Sequence, residues 1–289
     1  MLSLELNILQ MIECFRNSFL NGFFELITML GEETLLIVLM AVVYFMYDKH
    51  LAKRMFFITA MSLSLNCIVK NFVKRPRPFT RGISCVREET ATGYSFPSGH
   101  TQTFATWSNG FSFYLKSKKL LLITVILSVL VGFSRMYLGA HYPSDVIAGL
   151  LFGLVFAYLG NKLYDKVQNK HLLYTAFLLI LTPFIIFFII KPDPLYEDFF
   201  KLYGMVSGFT LAVIFEEKFV NLEKSNSTIK NIFRIVICVV LALIIKEVLK
   251  SLFVTELLRI SLILDAVRYF VLVFLILGIC PWIFKKVKI

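Results

Sequence analysis

The stretch Ser134–Asp145, SRMYLGAHYPSD, sets an arginine, a histidine and a carboxylate at the close of one apolar run and the opening of the next. A neutral imidazole is a competent nucleophile toward phosphorus, and an aspartate four residues after His141 can hold its far ring nitrogen in the reactive tautomer. Arg135, six residues before the histidine, adds a planar guanidinium fork suited to phosphate oxygens. Taken alone, the same residues also read as a short polar loop between two membrane helices.

Two earlier stretches carry matching chemistry. In KNFVKRPRP, Lys70 and Arg77 flank a six-residue gap, and the prolines forbid a helix from continuing. In FPSGHT, Pro97 and Ser98 read as a helix start with the serine placed to cap it, and Gly99 lets the backbone approach an anion. Backbone N–H groups at that helix start point toward a phosphate, and His100 in the first turn can donate a proton to a leaving oxygen. The chain has four histidines, and two of them, His100 and His141, stand in these stretches.

Together the stretches resemble the signature of the type 2 phosphatidic acid phosphatase (PAP2) superfamily. That signature reads K-x6-R-P, P-S-G-H and S-R-x5-H-x3-D, met here by Lys70/Arg77/Pro78, Pro97/Ser98/Gly99/His100 and Ser134/Arg135/His141/Asp145. The resemblance covers roughly residues 30–165 and implies an α-helical core shared with vanadium haloperoxidases and acid phosphatases. It implies that His141 attacks phosphorus to form a phosphohistidine, oriented by Asp145, while His100 protonates the leaving group. It assigns the phosphate oxygens to Lys70, Arg77, Ser98, Gly99 and Arg135, with no metal and no cofactor. In agreement, the sequence shows no acidic cluster suited to a magnesium pair.

These residues must be held by membrane helices. At 58% hydrophobic residues, 15% aromatic and a mean hydropathy of +0.76, the chain lies outside the range of soluble domains, which are typically about 45–50% apolar. The net charge of +11 has no basic helix or aromatic-basic platform that would point to nucleic acid. Its lysines fall between apolar runs, as the positive-inside rule and anionic head groups favour. Cys14, Cys67, Cys85, Cys238 and Cys280 show no paired spacing and read as free thiols. Glu5 and Glu13 stand where a cleavable signal peptide would be basic, so none is expected.

The predicted architecture is all-α: a polytopic membrane bundle with a PAP2/haloperoxidase-like core and additional C-terminal transmembrane helices. Residues 1–31 space their apolar side chains helically (Leu4, Ile8, Met11, Ile12, Phe15) and read as interfacial helices, with a re-entrant or interfacial piece at Phe19–Leu30. Residues 32–165 form the catalytic core, and 166–289 hold transmembrane helices of no assigned role. Eight or nine apolar runs are predicted to cross, near 33–47, 52–72, 99–115, 119–136, 144–163, 172–190, 202–216, 231–250 and 262–284, given the roughly 20 residues a crossing needs. Two G-x-x-x-G steps, Gly149/Gly153 and Gly204/Gly208, predict close helix packing. Embedded charges near the C-terminus, Asp265 and Arg268 among them, are expected to pair.

Lysine clusters in alternate loops (Lys49/Lys53, Lys116–Lys119, Lys162–Lys170, Lys218–Lys230, Lys285–Lys288) are expected in the cytoplasm, which puts all three motifs on the opposite face of a bacterial plasma membrane. The expected substrate is a lipid phosphate or diphosphate, with undecaprenyl diphosphate, phosphatidate and phosphatidylglycerophosphate all open; membrane lipids are the other expected partner. A lipid phosphotransferase, a glucose-6-phosphatase-like sugar phosphatase and a lipid transporter or flippase are the competing readings.

Overall fold

A computed structural model describes residues 2–88, 91–253 and 255–289. The helices run α1 (Leu2–Glu13), α2 (Ser18–Thr28), α3 (Glu33–Val42), α4 (Lys49–Val73), α5 (Gly99–Tyr114), α6 (Lys118–Tyr137), α7 (Pro143–Lys166), α8 (Lys170–Ile190), α9 (Glu197–Phe215), α10 (Thr228–Leu252), α11 (Leu258–Phe274) and α12 (Cys280–Lys286). No strand occurs among the described residues, and the fold is the all-α membrane bundle expected.

Among the described residues, six helical stretches are long and apolar enough to cross a membrane, or seven if the bent pair Ser18–Gly31 and Glu33–Tyr47, angled at 53°, counts as one broken span. This is fewer than the apolar runs suggested; the run at 99–115 forms a helix too short to be one of them. The α10 helix carries Arg234, Lys246, Glu247 and Lys250 along its length. The α5 helix has 16 residues, about 24 Å at 1.5 Å per residue, and is rich in Thr, Ser, Gln and Asn.

The polar character of α5 follows from where it sits. Its side chains are met by neighbouring helices: Ser62 Oγ and Thr106 Oγ1 lie 2.8 Å apart, Gln102 donates to the Ser62 carbonyl at 2.8 Å, and Thr124 Oγ1 donates to Asn109 Oδ1 at 2.8 Å. A helix sheathed by protein can carry polar groups that lipid would penalise by several kcal/mol each. Gly149 and Gly153 let α7 lie directly on it, since a Cβ at Gly149 would stand 2.7 Å from the Ser98 carbonyl and one at Gly153 2.5 Å from the Ala105 Cβ.

The chain divides into two compact units. The first takes residues up to Leu36 with Phe57–Asp165; the second takes Ile37–Phe56 with Lys166–Ile289. In the first, α1 buries Glu5 and Leu9, while Leu4 and Met11, and Phe15 just beyond its end, are more than 60% exposed. Leu9 packs with Ile83 and Tyr142. In the second, α9 and α11 meet at Gly204 and Gly208, where added Cβ atoms would strike the carbonyls of Ala266 and Phe270. Asp265 and Arg268 form the expected ion pair at 2.7 Å. Lys53 bridges Glu216 at 3.1 Å and Glu217 at 2.9 Å. All five cysteines are free thiols.

Candidate active site

The residues singled out by spacing converge in the first unit. His141 sits in the turn between α6 and α7 and is 1% exposed. The cations whose charge acts on its ring are Arg77, Arg135 and Lys70, and the groups acting on His100 are Arg135, His141, Lys70 and Arg77. Helix α4 therefore supplies Lys70, the loop after it Arg77, α5 His100, and the end of α6 Arg135.

Arg77 is held by backbone. Its Nε donates to the Gly93 carbonyl at 2.9 Å, Nη1 to the Ala140 carbonyl at 3.0 Å, and Nη2 to the Thr92 carbonyl. The same Nη1 lies 3.1 Å from His141 Nε2. A guanidinium has only donors, so Nε2 accepts and the ring proton resides on Nδ1. Burial pushes the His141 imidazole well below its ordinary range; Arg77, Arg135 and Lys70 push the same way, and a hydrogen bond with the Ser95 backbone opposes them. The ring is thus neutral at pH 7 with its lone pair toward Arg77.

Nδ1 faces Asp145 Oδ2 at 3.5 Å. Asp145 is fully buried and held on both oxygens. Arg75 Nη1 donates to Oδ1 at 2.6 Å, while Ser95 Oγ, at 2.5 Å, and the Tyr142 backbone N–H, at 2.9 Å, donate to Oδ2.

FPSGHT starts a helix at Gly99 as predicted, but the Ser98 hydroxyl does not cap it. It lies 2.9 Å from Thr101 Oγ1, and the Ser98 N–H donates to the Asp145 carbonyl at 3.0 Å, which ties this helix start to α7. The hydroxyl thus meets a side chain of its own first turn in place of a backbone N–H. A Cβ on Gly99 would stand 3.5 Å from Lys70 Nζ, so the two are side by side. The His100 Nε2 is buried and has no hydrogen-bond partner among the described residues. The second wall comes from the N-terminal segment: Arg135 Nη1 donates to Thr28 Oγ1 at 2.9 Å, and a Cβ on Gly31 would meet the His100 carbonyl at 2.7 Å.

Ser95, Thr28 and Glu5 were not legible as site residues, and Arg75 read only as one more basic residue of its loop. Ser95 directly precedes FPSGHT, which is its one sequence signal. The arrangement presents a neutral imidazole lone pair and a guanidinium N–H toward one point, with further cations and a buried second imidazole around it.

A model described as the PAP2 superfamily matches residues 51–169. A second, the PAP2 superfamily phosphatase transmembrane extension, matches 200–289, so the resemblance reaches into the C-terminal helices that the motifs leave out. Phosphatidylglycerophosphatase B of Bacillus subtilis (strain 168) is 30% identical over 167 residues, covering 53% of this chain and 80% of that protein. The putative undecaprenyl-diphosphatase YbjG of Escherichia coli (strain K12) is 32% identical over 120 residues, 38% of this chain and 59% of that protein. The crystal structure of a transmembrane PAP2 type phosphatidylglycerolphosphate phosphatase from Bacillus subtilis superposes with a TM-score of 0.50 at 27% identity, covering 58% of this chain and 87% of that one.

Proposed function

The chain belongs to the PAP2 superfamily and is a membrane phosphate-ester hydrolase, and from that premise we propose that it dephosphorylates a lipid phosphate or diphosphate at the extracytoplasmic face through a phosphohistidine on His141. The observation that carries this reading is the 3.1 Å approach of Arg77 Nη1 to His141 Nε2. A phosphoryl group entering there takes the guanidinium N–H on an oxygen and the Nε2 lone pair on phosphorus.

As the N–P bond forms, the P–O bond to the lipid breaks, and the departing oxygen takes a proton from the His100 imidazolium, a form that the negative charge of the bound phosphate favours. The developing positive charge on the His141 ring is met through Nδ1–H by Asp145. Lys70, Arg135 and the Gly99 backbone hold the remaining oxygens, with the Ser98 hydroxyl beside them. Water then attacks the phosphohistidine, giving up a proton to His100, and inorganic phosphate leaves with both imidazoles restored. Lys70, Arg77 and Arg135 supply the charge work as fixed cations.

An amphiphilic substrate is supported by the exposed apolar flank of α1 and α2, where Leu4, Met11, Phe15, Phe19 and Leu26 face outward. Sidedness rests on the alternating lysine clusters and on the convergence of all three motifs on one phosphate, which a bilayer core about 30 Å thick would not allow from opposite faces. The N-terminus of α5 and the C-terminus of α6 both reach the site, as a helical hairpin requires.

A panel of polyprenyl diphosphate, phosphatidate, phosphatidylglycerophosphate and glucose 6-phosphate, offered to the detergent-solubilised protein with and without EDTA, tests the reading. Phosphate release from at least one lipid, unaffected by EDTA, is expected; release from glucose 6-phosphate alone would overturn the lipid assignment. For sidedness, Glu88→Cys in a background without native thiols should react with an impermeant maleimide in intact cells, and Gln168→Cys only after permeabilisation. Reversed labelling would move the site to the cytoplasm.

A further inference from the structure

The carboxylate behind His141 is itself held from the N-terminal helix, by a chain of contacts that no sequence motif marks. Arg75 Nη2 lies 2.5 Å from Glu5 Oε2, while its Nη1 is shared between Asp145 Oδ1 and the Ser144 hydroxyl, each at 2.6 Å. The guanidinium is stacked over the Tyr142 ring, 4.0 Å from its centroid. Glu5 Oε1 also accepts the Ser144 backbone N–H at 3.0 Å, at the first turn of the helix that carries Asp145. From these contacts we infer that Glu5 and Arg75 are positioning residues for the phosphoryl-transfer step, Arg75 fixing the Asp145 carboxylate against the His141 ring and Glu5 fixing Arg75.

The inference rests on the reading of His141 as nucleophile and follows from three physical points. Asp145 has no exposure to solvent, so its charge needs compensation inside the protein, and the guanidinium on Oδ1 supplies it. With Oδ1 taken by Arg75, and Oδ2 by Ser95 and the Tyr142 N–H, the carboxylate cannot rotate, and Oδ2 stays toward Nδ1. A flexible arginine would not hold that geometry alone. Two fork–carboxylate contacts and an aromatic face remove its freedom, a task for which lysine lacks the planar fork.

Glu5 is suited to its part. Burial pushes its carboxyl up, but hydrogen bonds from Ser144 and the Arg75 guanidinium outweigh this and hold it below the usual carboxylate range, so it stays charged at neutral pH. It lies with Leu9 on the buried side of α1, whose exposed side carries Leu4, Ile8 and Met11, so lodging that helix at the membrane surface also orients Glu5.

The test uses the full-length protein in detergent, with p-nitrophenyl phosphate and phosphatidate as substrates, and reads kcat and KM separately. Glu5→Gln keeps the shape and removes the charge; it is expected to lower kcat about 10-fold with KM within about 2-fold, a loss typical of a partner one step behind the reacting group. Glu5→Asp should recover part of the loss. Arg75→Gln should lose about 30-fold, and adding Glu5→Gln to it should cost nothing further, because Glu5 acts through Arg75. Thermal unfolding separates a folded variant from a collapsed one. Wild-type kcat in folded Glu5→Gln, a rise in KM alone, or fully additive losses in the double variant would overturn the inference while leaving the nucleophile assignment intact. Undiminished turnover by His141→Ala would overturn both.

Discussion

Each unit contains a histidine beside a carboxylate pair bridged by one cation, and the two groups do different things. In the first unit Arg75 bridges Glu5 and Asp145, with His141 Nδ1 3.5 Å from Asp145. In the second Lys53 bridges Glu216 and Glu217, and His171 Nε2 meets Glu217 at 2.5 Å. The inventories match, and the surroundings of the two rings do not. The His171 side chain is 35% exposed and bound to its carboxylate, whereas His141 is buried with Arg77 at its other nitrogen. A carboxylate orients an imidazole in both places. Burial beside cations is what keeps the ring neutral and turns its lone pair toward the place an anion would occupy.

The sharpest way to break this contrast is to remove each ring. His141→Ala should lower phosphate release by at least about 1,000-fold, as loss of a nucleophile does, while His171→Ala stays within about 2-fold. Equal effects would mean that the cationic setting has no catalytic weight. A third ring sharpens the contrast, because His100 Nε2 has neither a carboxylate nor any other hydrogen-bond partner among the described residues. Its proposed task is proton donation, so His100→Ala should cost about 100-fold on a lipid phosphate but only about 10-fold on p-nitrophenyl phosphate, whose leaving group needs little help. Similar losses on both substrates would assign His100 to binding.

The smallest effect is a shift along the pH axis. The His141 ring is held well below its ordinary range, chiefly by burial and then by Arg77. The nucleophile therefore remains neutral as pH falls through about 6.5, where an ordinary imidazole protonates, and the acid limb of kcat/KM should lie below that value. The sign for stability is the reverse: the unfolded chain takes up a proton below about 6.5 that the folded ring refuses, so His141 favours unfolding as pH falls further. An acid limb of kcat/KM centred at about 6.5 on p-nitrophenyl phosphate, and unmoved in His100→Ala, would show the His141 ring to be titrating normally.

Much of this was legible from residue types and spacing. Lys70, Arg77, Ser98, Gly99, His100, Arg135, His141 and Asp145 lie in three short stretches whose chemistry is recognisable without coordinates, and the all-α membrane class follows from composition. The helix start at Gly99 and the close-packing glycines were local facts, set by backbone conformation and the absence of a Cβ. Local reading misled in two places. Ser98 stands at the cap position, but its hydroxyl meets Thr101 Oγ1, and the apolar run at 99–115 forms a helix of only 16 residues that is sheathed by protein.

The sequence by itself determined which groups are able to react, because imidazoles, carboxylates and anion-binding cations are chemical identities that survive in a one-dimensional string. Only the tertiary structure decided what holds them. Glu5 meets the Ser144 N–H across 139 residues of chain, Arg75 meets Asp145 across 70, and Arg135 meets Thr28 across 107. No local spacing records such pairs. The same apolar periodicity that marks α1 for the membrane surface does not say which of its residues are buried, and Glu5, one of the two that are, meets Arg75 behind Asp145. Which buried carboxylate faces which ring is set by how the helices pack, and packing depends on the whole chain at once.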